Sequence, residues 1–177
     1  MRILRFCFFV GILLAPRLAF ADDHRMDLYG GFSGGNGASK LFGFHQAIGI
    51  VFSGENPKIH RLSAVADFSV QFANETSSVT QVLFMVGGRY AFSRPADKNK
   101  ISAHFLGGTE YYNQAGGAAN AGVYAFGAGY EYLPTPKGTR QIDGLGYRAQ
   151  VDHIIRPGSA VNFWRVSGGI VYRFGQH

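Results

Sequence analysis

From residue 26 onward, apolar and polar side chains alternate one by one, and the alternation is repeatedly broken by Gly, Pro, Asn, Asp or Ser. A period of two marks β-strands, whose successive side chains face opposite sides of the sheet. Eight such runs are legible, at 26–33, 41–52, 60–72, 79–92, 100–112, 120–132, 145–155 and 162–174. None carries a helical period. The last run is the clearest. Trp164, Val166, Gly168, Ile170, Tyr172 and Phe174 share one face, and Arg165, Ser167 and Arg173 lie on the other. The third repeats it, with Leu62, Ala64, Ala66, Phe68, Val70 and Phe72 set against Ser63, Asp67, Ser69 and Gln71. Between the runs, Gly34 to Gly37, Ser53 to Pro57, Asn74 to Ser78, Ser93 to Asn99, Gln114 to Gly117, Leu133 to Gly138 and Arg156 to Ser159 carry turn chemistry.

Most runs are roughly 9–13 residues long, the length a tilted membrane-crossing strand requires, whereas ordinary strands are nearer five or six. The pattern therefore predicts an all-β fold, an eight-stranded antiparallel up-and-down transmembrane β-barrel. An even strand count leaves both chain ends on one side, with the last strand closing against the first near Leu28.

Two barrels fit an alternating pattern. A soluble barrel turns its apolar face inward, and a membrane barrel turns it outward. Composition favours the second. Glycine is abundant at 25 residues, aromatics reach 15%, and charged residues are 16%, against about a quarter in ordinary soluble domains. The polar face carries Asp27, Asp67, Arg89, Glu110, Glu131, Arg148, Asp152, Arg165 and Arg173 among small residues. Such a face makes a thin soluble exterior, but it suits a narrow lumen in which opposite charges pair. The opposite face carries Phe72, Tyr90, Phe92, Tyr111, Tyr132, Trp164, Tyr172 and Phe174 near the ends of the runs. Rings with a polar edge favour the membrane–water interface.

The N-terminus agrees. A basic start, a short apolar run and Ala19-Phe20-Ala21 read as a secretory signal peptide over residues 1–21, with the barrel domain over 22–177. The formal charge of +6 includes Arg2, Arg5 and Arg17 and no acid from that segment, so the mature chain carries about +3. The single cysteine, Cys7, lies in the same segment, which leaves no disulfide or thiol chemistry afterwards. No run of lysine and arginine suggests nucleic acid.

The stretches D-L-Y-G-G-F-S at 27–33, R-Y-A-F at 89–92 and V-S-G-G-I-V-Y-R-F-G at 166–175 resemble the small bacterial outer-membrane β-barrel proteins grouped with OmpA-type barrel domains. The resemblance implies an eight-stranded barrel in the outer membrane, in contact with its lipids. It also implies insertion by the outer-membrane assembly machinery, which reads an aromatic-ended C-terminal strand. Here Gly175-Gln176-His177 follow Phe174. No peptidoglycan-binding domain is expected, because nothing follows the barrel.

Candidate chemistry is sparse. His153, Ser167 and Asp152 could compose a nucleophile, base and orienting acid, but adjacent Asp152 and His153 point to opposite faces of one strand. His45, His104 and His153 lie on separate runs without metal-ligand spacing. Gly34 to Gly37 is followed by neither a lysine nor a helix, so it is no phosphate loop. No cofactor, metal site or catalytic residue is expected, and the chain is expected to be a monomer. Four readings stay open: a structural barrel whose lumen is plugged by paired charges, a narrow channel, a lipid-modifying enzyme, and a soluble barrel holding an apolar ligand. The first is preferred, because a lumen of this strand number is normally filled by side chains.

Overall fold

The structure is a computed structural model that describes residues 25–36, 40–52, 58, 61–73, 80–93, 98–114, 117–134, 144–158 and 162–174, the side chains of 114 and 174 excepted. The proposed signal segment, the cysteine within it and the residues after Phe174 lie outside the described residues. Eight strands follow one another: β1 (Arg25–Asn36), β2 (Lys40–Val51), β3 (Leu62–Ala73), β4 (Thr80–Ala91), β5 (Asn99–Gln114), β6 (Gly117–Tyr132), β7 (Gly144–Ile155) and β8 (Phe163–Phe174). Each pairs antiparallel with the next, and β8 returns to β1 to close the barrel. Leu28 stands opposite Tyr172, and Asp27 opposite Arg173. Closure leaves no strand edge unpaired, the condition for holding so much polar backbone away from water.

Local glycine content misplaces one boundary. Gly34, Gly35 and Asn36 do not turn. They extend β1, paired with Phe42, Leu41 and Lys40 on one side and with Val166, Arg165 and Trp164 on the other. Two flanking ladders supply hydrogen bonds to a segment that would otherwise coil. The Gln114 to Gly117 stretch is likewise narrower than its composition suggests. β5 and β6 each run 16 residues, against 12 for every other strand. Gln114 pairs with Gly117, so this hairpin is the longest in the barrel. In the β7–β8 connection, Gly158 takes a φ of 80°, a left-handed conformation that glycine adopts without a Cβ clash.

β1 begins and β8 ends at one end of the barrel, which also carries connections 52–61, 92–98 and 133–143. The other end carries 37–39, 74–79, 115–116 and 156–162.

The faces follow the alternation. Among the described strand residues, the outward positions carry one charged side chain, Lys40, at the start of β2. Phe32, Phe42, Phe44, Phe84, Val86, Phe105, Phe126 and Val166 stand exposed outside. Leu83, Met85, Leu106, Val123, Ala125, Ile154 and Val171 are buried inside, in contact with Tyr29 and Phe163. The interior is therefore part apolar, concentrated on β4 to β7, and part ionic.

Candidate functional site

Period-two placement puts Arg25, Asp27, Asp67, Arg89, Lys100, Glu110, Glu131, Arg148, Asp152, Arg165 and Arg173 on the inner face, all of them buried. Three groups form along the barrel axis.

The central group is built on Arg165 of β8, which is fully buried. Its Nε donates to Asp152 Oδ2 at 2.8 Å. Its Nη1 and Nη2 donate to the two oxygens of Asp67 at 2.9 and 3.1 Å, and Nη1 also donates to Ser69 Oγ at 3.0 Å. Asp152 is the direct cross-strand partner of Arg165, whereas Asp67 reaches it from β3, across the lumen. Each carboxylate also holds an imidazole, with His45 Nε2 2.5 Å from Asp67 Oδ2 and His104 Nε2 2.6 Å from Asp152 Oδ1. The result is a chain His45–Asp67–Arg165–Asp152–His104. Gly127 stands opposite both His104 and Asp152 on the strand between them. A Cβ there would collide with both groups, so the bare glycine lets the two side chains meet over it.

The second group lies toward the chain termini. Asp27 accepts from Arg173 Nε at 2.5 Å and from Arg89 Nη2 at 2.7 Å. Glu131 accepts from Arg148 Nε at 2.9 Å, from Arg173 Nη2 at 2.9 Å and from Arg89 Nη1 at 3.4 Å. Two carboxylates thus share three guanidinium groups, and Arg148 also lies 5.1 Å over the ring of Tyr29.

The third group is at the opposite end. Glu110 accepts from Gln81 Nε2 at 2.5 Å and takes a two-pronged contact from Arg156. Arg156 follows β7 and also stacks on Phe163 and Tyr112, at 5.3 and 5.5 Å. Glu110 is among the inward charges expected to pair with other strand charges. The structure instead sets Glu110 with Arg156, a residue whose Pro-Gly neighbours mark it as loop. Beyond the nine charges expected in the lumen, Arg25, His45, Gln71, Gln81, Lys100 and His104 are buried there, with Arg156 half-buried at the rim. Parity flags Lys100 and His104, which share a face with Ser102 and Glu110. Arg25 sits just before the first run, on the parity of Asp27.

The set of Ser167, His153 and Asp152 does not assemble. His153 faces outward, its ring 4.6 Å from Trp164, while Asp152 and Ser167 face inward and are buried. Among the described residues, no three His, Cys, Asp or Glu side chains converge as metal ligands would. Among the described residues, every inward carboxylate is committed to an arginine.

The outward aromatics fall as follows. Tyr90, Phe92, Tyr132 and Tyr172 are near the end that carries the termini, joined there by Tyr130 and Tyr147. Phe72, Tyr111 and Trp164 are near the other end, all exposed. Phe174 closes β8 opposite Met26, and its side chain lies outside the described residues. Further rings, Phe84, Phe105 and Phe126, occupy mid-strand positions, so the aromatic surface is broader than two rims.

Together these features define an eight-stranded up-and-down barrel with an apolar exterior and an ion-paired interior. The same fold occurs in neisserial surface protein A, at TM-score 0.63 and 11% identity over 85% of this chain and 97% of that one. It occurs in Ail, the attachment invasion locus protein of Yersinia pestis, solved with the heparin analogue sucrose octasulfate, at TM-score 0.60 and 12% identity over 86% and 99%. The N-terminal β-barrel domain of Pseudomonas aeruginosa OprF matches at TM-score 0.55 and 15% identity over 86% and 98%. No protein-family model and no curated protein sequence matches the chain. At these identities the likeness is one of fold, and it agrees with the OmpA-type barrel layout that the strand motifs imply.

Proposed function

We propose that this chain is a non-catalytic barrel of a bacterial outer membrane, delivered by a signal peptide cleaved after Ala21 and inserted through recognition of its last strand. It works as a monomer in direct contact with lipid. One observation carries the reading: outward strand positions present a continuous apolar and aromatic surface with Lys40 alone charged, while the other charged strand residues turn inward. Water would not tolerate such an exterior, since soluble proteins rarely expose large contiguous apolar patches. Lipid requires it. Twelve residues, the length of each strand except β5 and β6, at about 3.3 Å each and tilted by about 45°, rise about 28 Å, close to the thickness of a hydrocarbon core. The tyrosine-rich rim at the terminal end and Trp164 at the other mark the two interfaces.

Inside, ion pairs and apolar packing plug the lumen, so the barrel serves as a structural or surface element of the envelope rather than a pore. With the termini on the inner side, the outward-facing connections are the shorter set, which leaves little loop surface for a large receptor. The test uses Trp164, the only tryptophan. In vesicles, lipids brominated along the acyl chain should quench its emission, and planar bilayers containing the protein should show no steady ion-selective openings. A Trp164 emission insensitive to brominated lipid would end the membrane reading. Steady openings would end the plug.

A further inference from the structure

Among the described residues, the barrel mouth at the end where β1 begins and β8 ends gathers more cationic groups than carboxylates, even with Arg25 left out of the count. A cavity of about 30 Å³ sits there, lined by Arg25, Arg61, Arg89, Lys100 and Arg173, with Asp27 and Glu131 as its acids. Both acids are already divided among Arg89, Arg148 and Arg173. Lys100 is buried and Arg61 half-buried, so neither group stands in open water. Nη1 of Arg173, itself only 4% exposed, is buried with no hydrogen-bond partner among the described residues. Ser63 and Ser102 add hydroxyls to the same wall.

Buried cations in excess are costly unless an anion joins them. Guanidinium groups present fixed forks of N–H donors that match the oxygens of phosphate and carboxylate. The volume admits about two waters, room for one oxygen edge of a small oxyanion whose remainder stays in the aqueous mouth, and not for a sugar or a peptide. We infer that this mouth is a binding site for a small oxyanion of the phosphate type, held by Lys100, Arg61 and Arg173 and entering from the aqueous side at the end of the termini. The opposite mouth offers no such site. Among the described residues its inward basic group, Arg156, is already engaged by Glu110, and Lys40 faces outward.

The site can be tested on the full barrel folded in a zwitterionic detergent, by calorimetric titration with inorganic phosphate at fixed ionic strength. A parallel titration uses glycerol phosphate, which separates a free ion from a phosphate monoester. Saturable one-to-one binding of either probe is expected. Lys100→Gln and Arg61→Gln should each weaken it by about tenfold, the loss of one charge-assisted contact. Arg156→Gln, at the far mouth, should leave it unchanged. Heat-modifiable gel migration confirms that each variant is folded. Binding of phosphate alone assigns the site to the free ion, and binding of glycerol phosphate alone assigns it to a monoester. The inference is overturned if neither probe saturates, if Lys100→Gln binds as wild type does, or if Arg156→Gln weakens binding as much as Lys100→Gln.

Discussion

Replacing Arg165 with methionine removes the cation at the centre of the barrel and keeps most of the side-chain volume. The structure sets the consequence. Arg165 holds Asp67 through two hydrogen bonds and Asp152 through one, at 2.8 to 3.1 Å, and all three residues are at most 1% exposed. In Arg165→Met, Asp67 would keep the His45 imidazole and Asp152 would keep the His104 imidazole and the Gln150 amide, with no cation of fixed charge bonded to either. Removing one partner of a buried ion pair costs about 3–5 kcal/mol, because the uncompensated charge stays behind. Arg165→Met should therefore lose about that much stability. Taking the charge off all three groups together, in Arg165→Met with Asp67→Asn and Asp152→Asn, should recover most of it, since an apolar or neutral replacement of a whole buried ion cluster is often near neutral. The measurement is urea unfolding of vesicle-inserted protein, followed by Trp164 emission and by the fraction migrating as folded barrel. Trp164 faces away from the lumen, so it reports global unfolding rather than the local change. A loss below about 1 kcal/mol for Arg165→Met, too small for a broken buried pair, would refute the reasoning. So would a triple variant no more stable than the single one. Either result would mean that water solvates these charges.

Two further substitutions probe the remaining layers. Val86→Arg places a charge at the middle of an outward face, where Val86 is 52% exposed. In a bilayer it should cost about 2–4 kcal/mol, read as a lower urea midpoint, whereas a water-facing site would show little change. Gly127→Ala would push a methyl group into the contact between His104 and Asp152. It should destabilise by about 1–3 kcal/mol, as overpacking does, and it should do so much less when His104 is also alanine.

Strand number, strand order and the side each residue faces were readable in the chain, because a period of two assigns every side chain to a face from its parity alone. That logic put Asp67, Arg89, Glu131, Arg148, Asp152 and Arg165 on the inner face, and Tyr90, Trp164 and Tyr172 on the outer one. Parity also makes Asp152 with Arg165 and Asp27 with Arg173 plausible cross-strand neighbours. Tertiary structure decided the rest. Arg165 meets Asp67, and Arg89 meets both Asp27 and Glu131, only because closure and strand stagger bring distant strands across one narrow lumen. No local pattern carries that distance. Ladders on both sides override the turn preference of Gly34, Gly35 and Asn36, since paired backbone groups outweigh local flexibility. Arg156 reads as loop from Pro157 and Gly158, yet the end of β7 places it over Glu110. The gathering of cationic side chains around Lys100 also emerges only in three dimensions. Arg25, Arg61, Lys100 and Arg173 are scattered along the sequence, and it is the ring of strands that gathers their charges at one mouth.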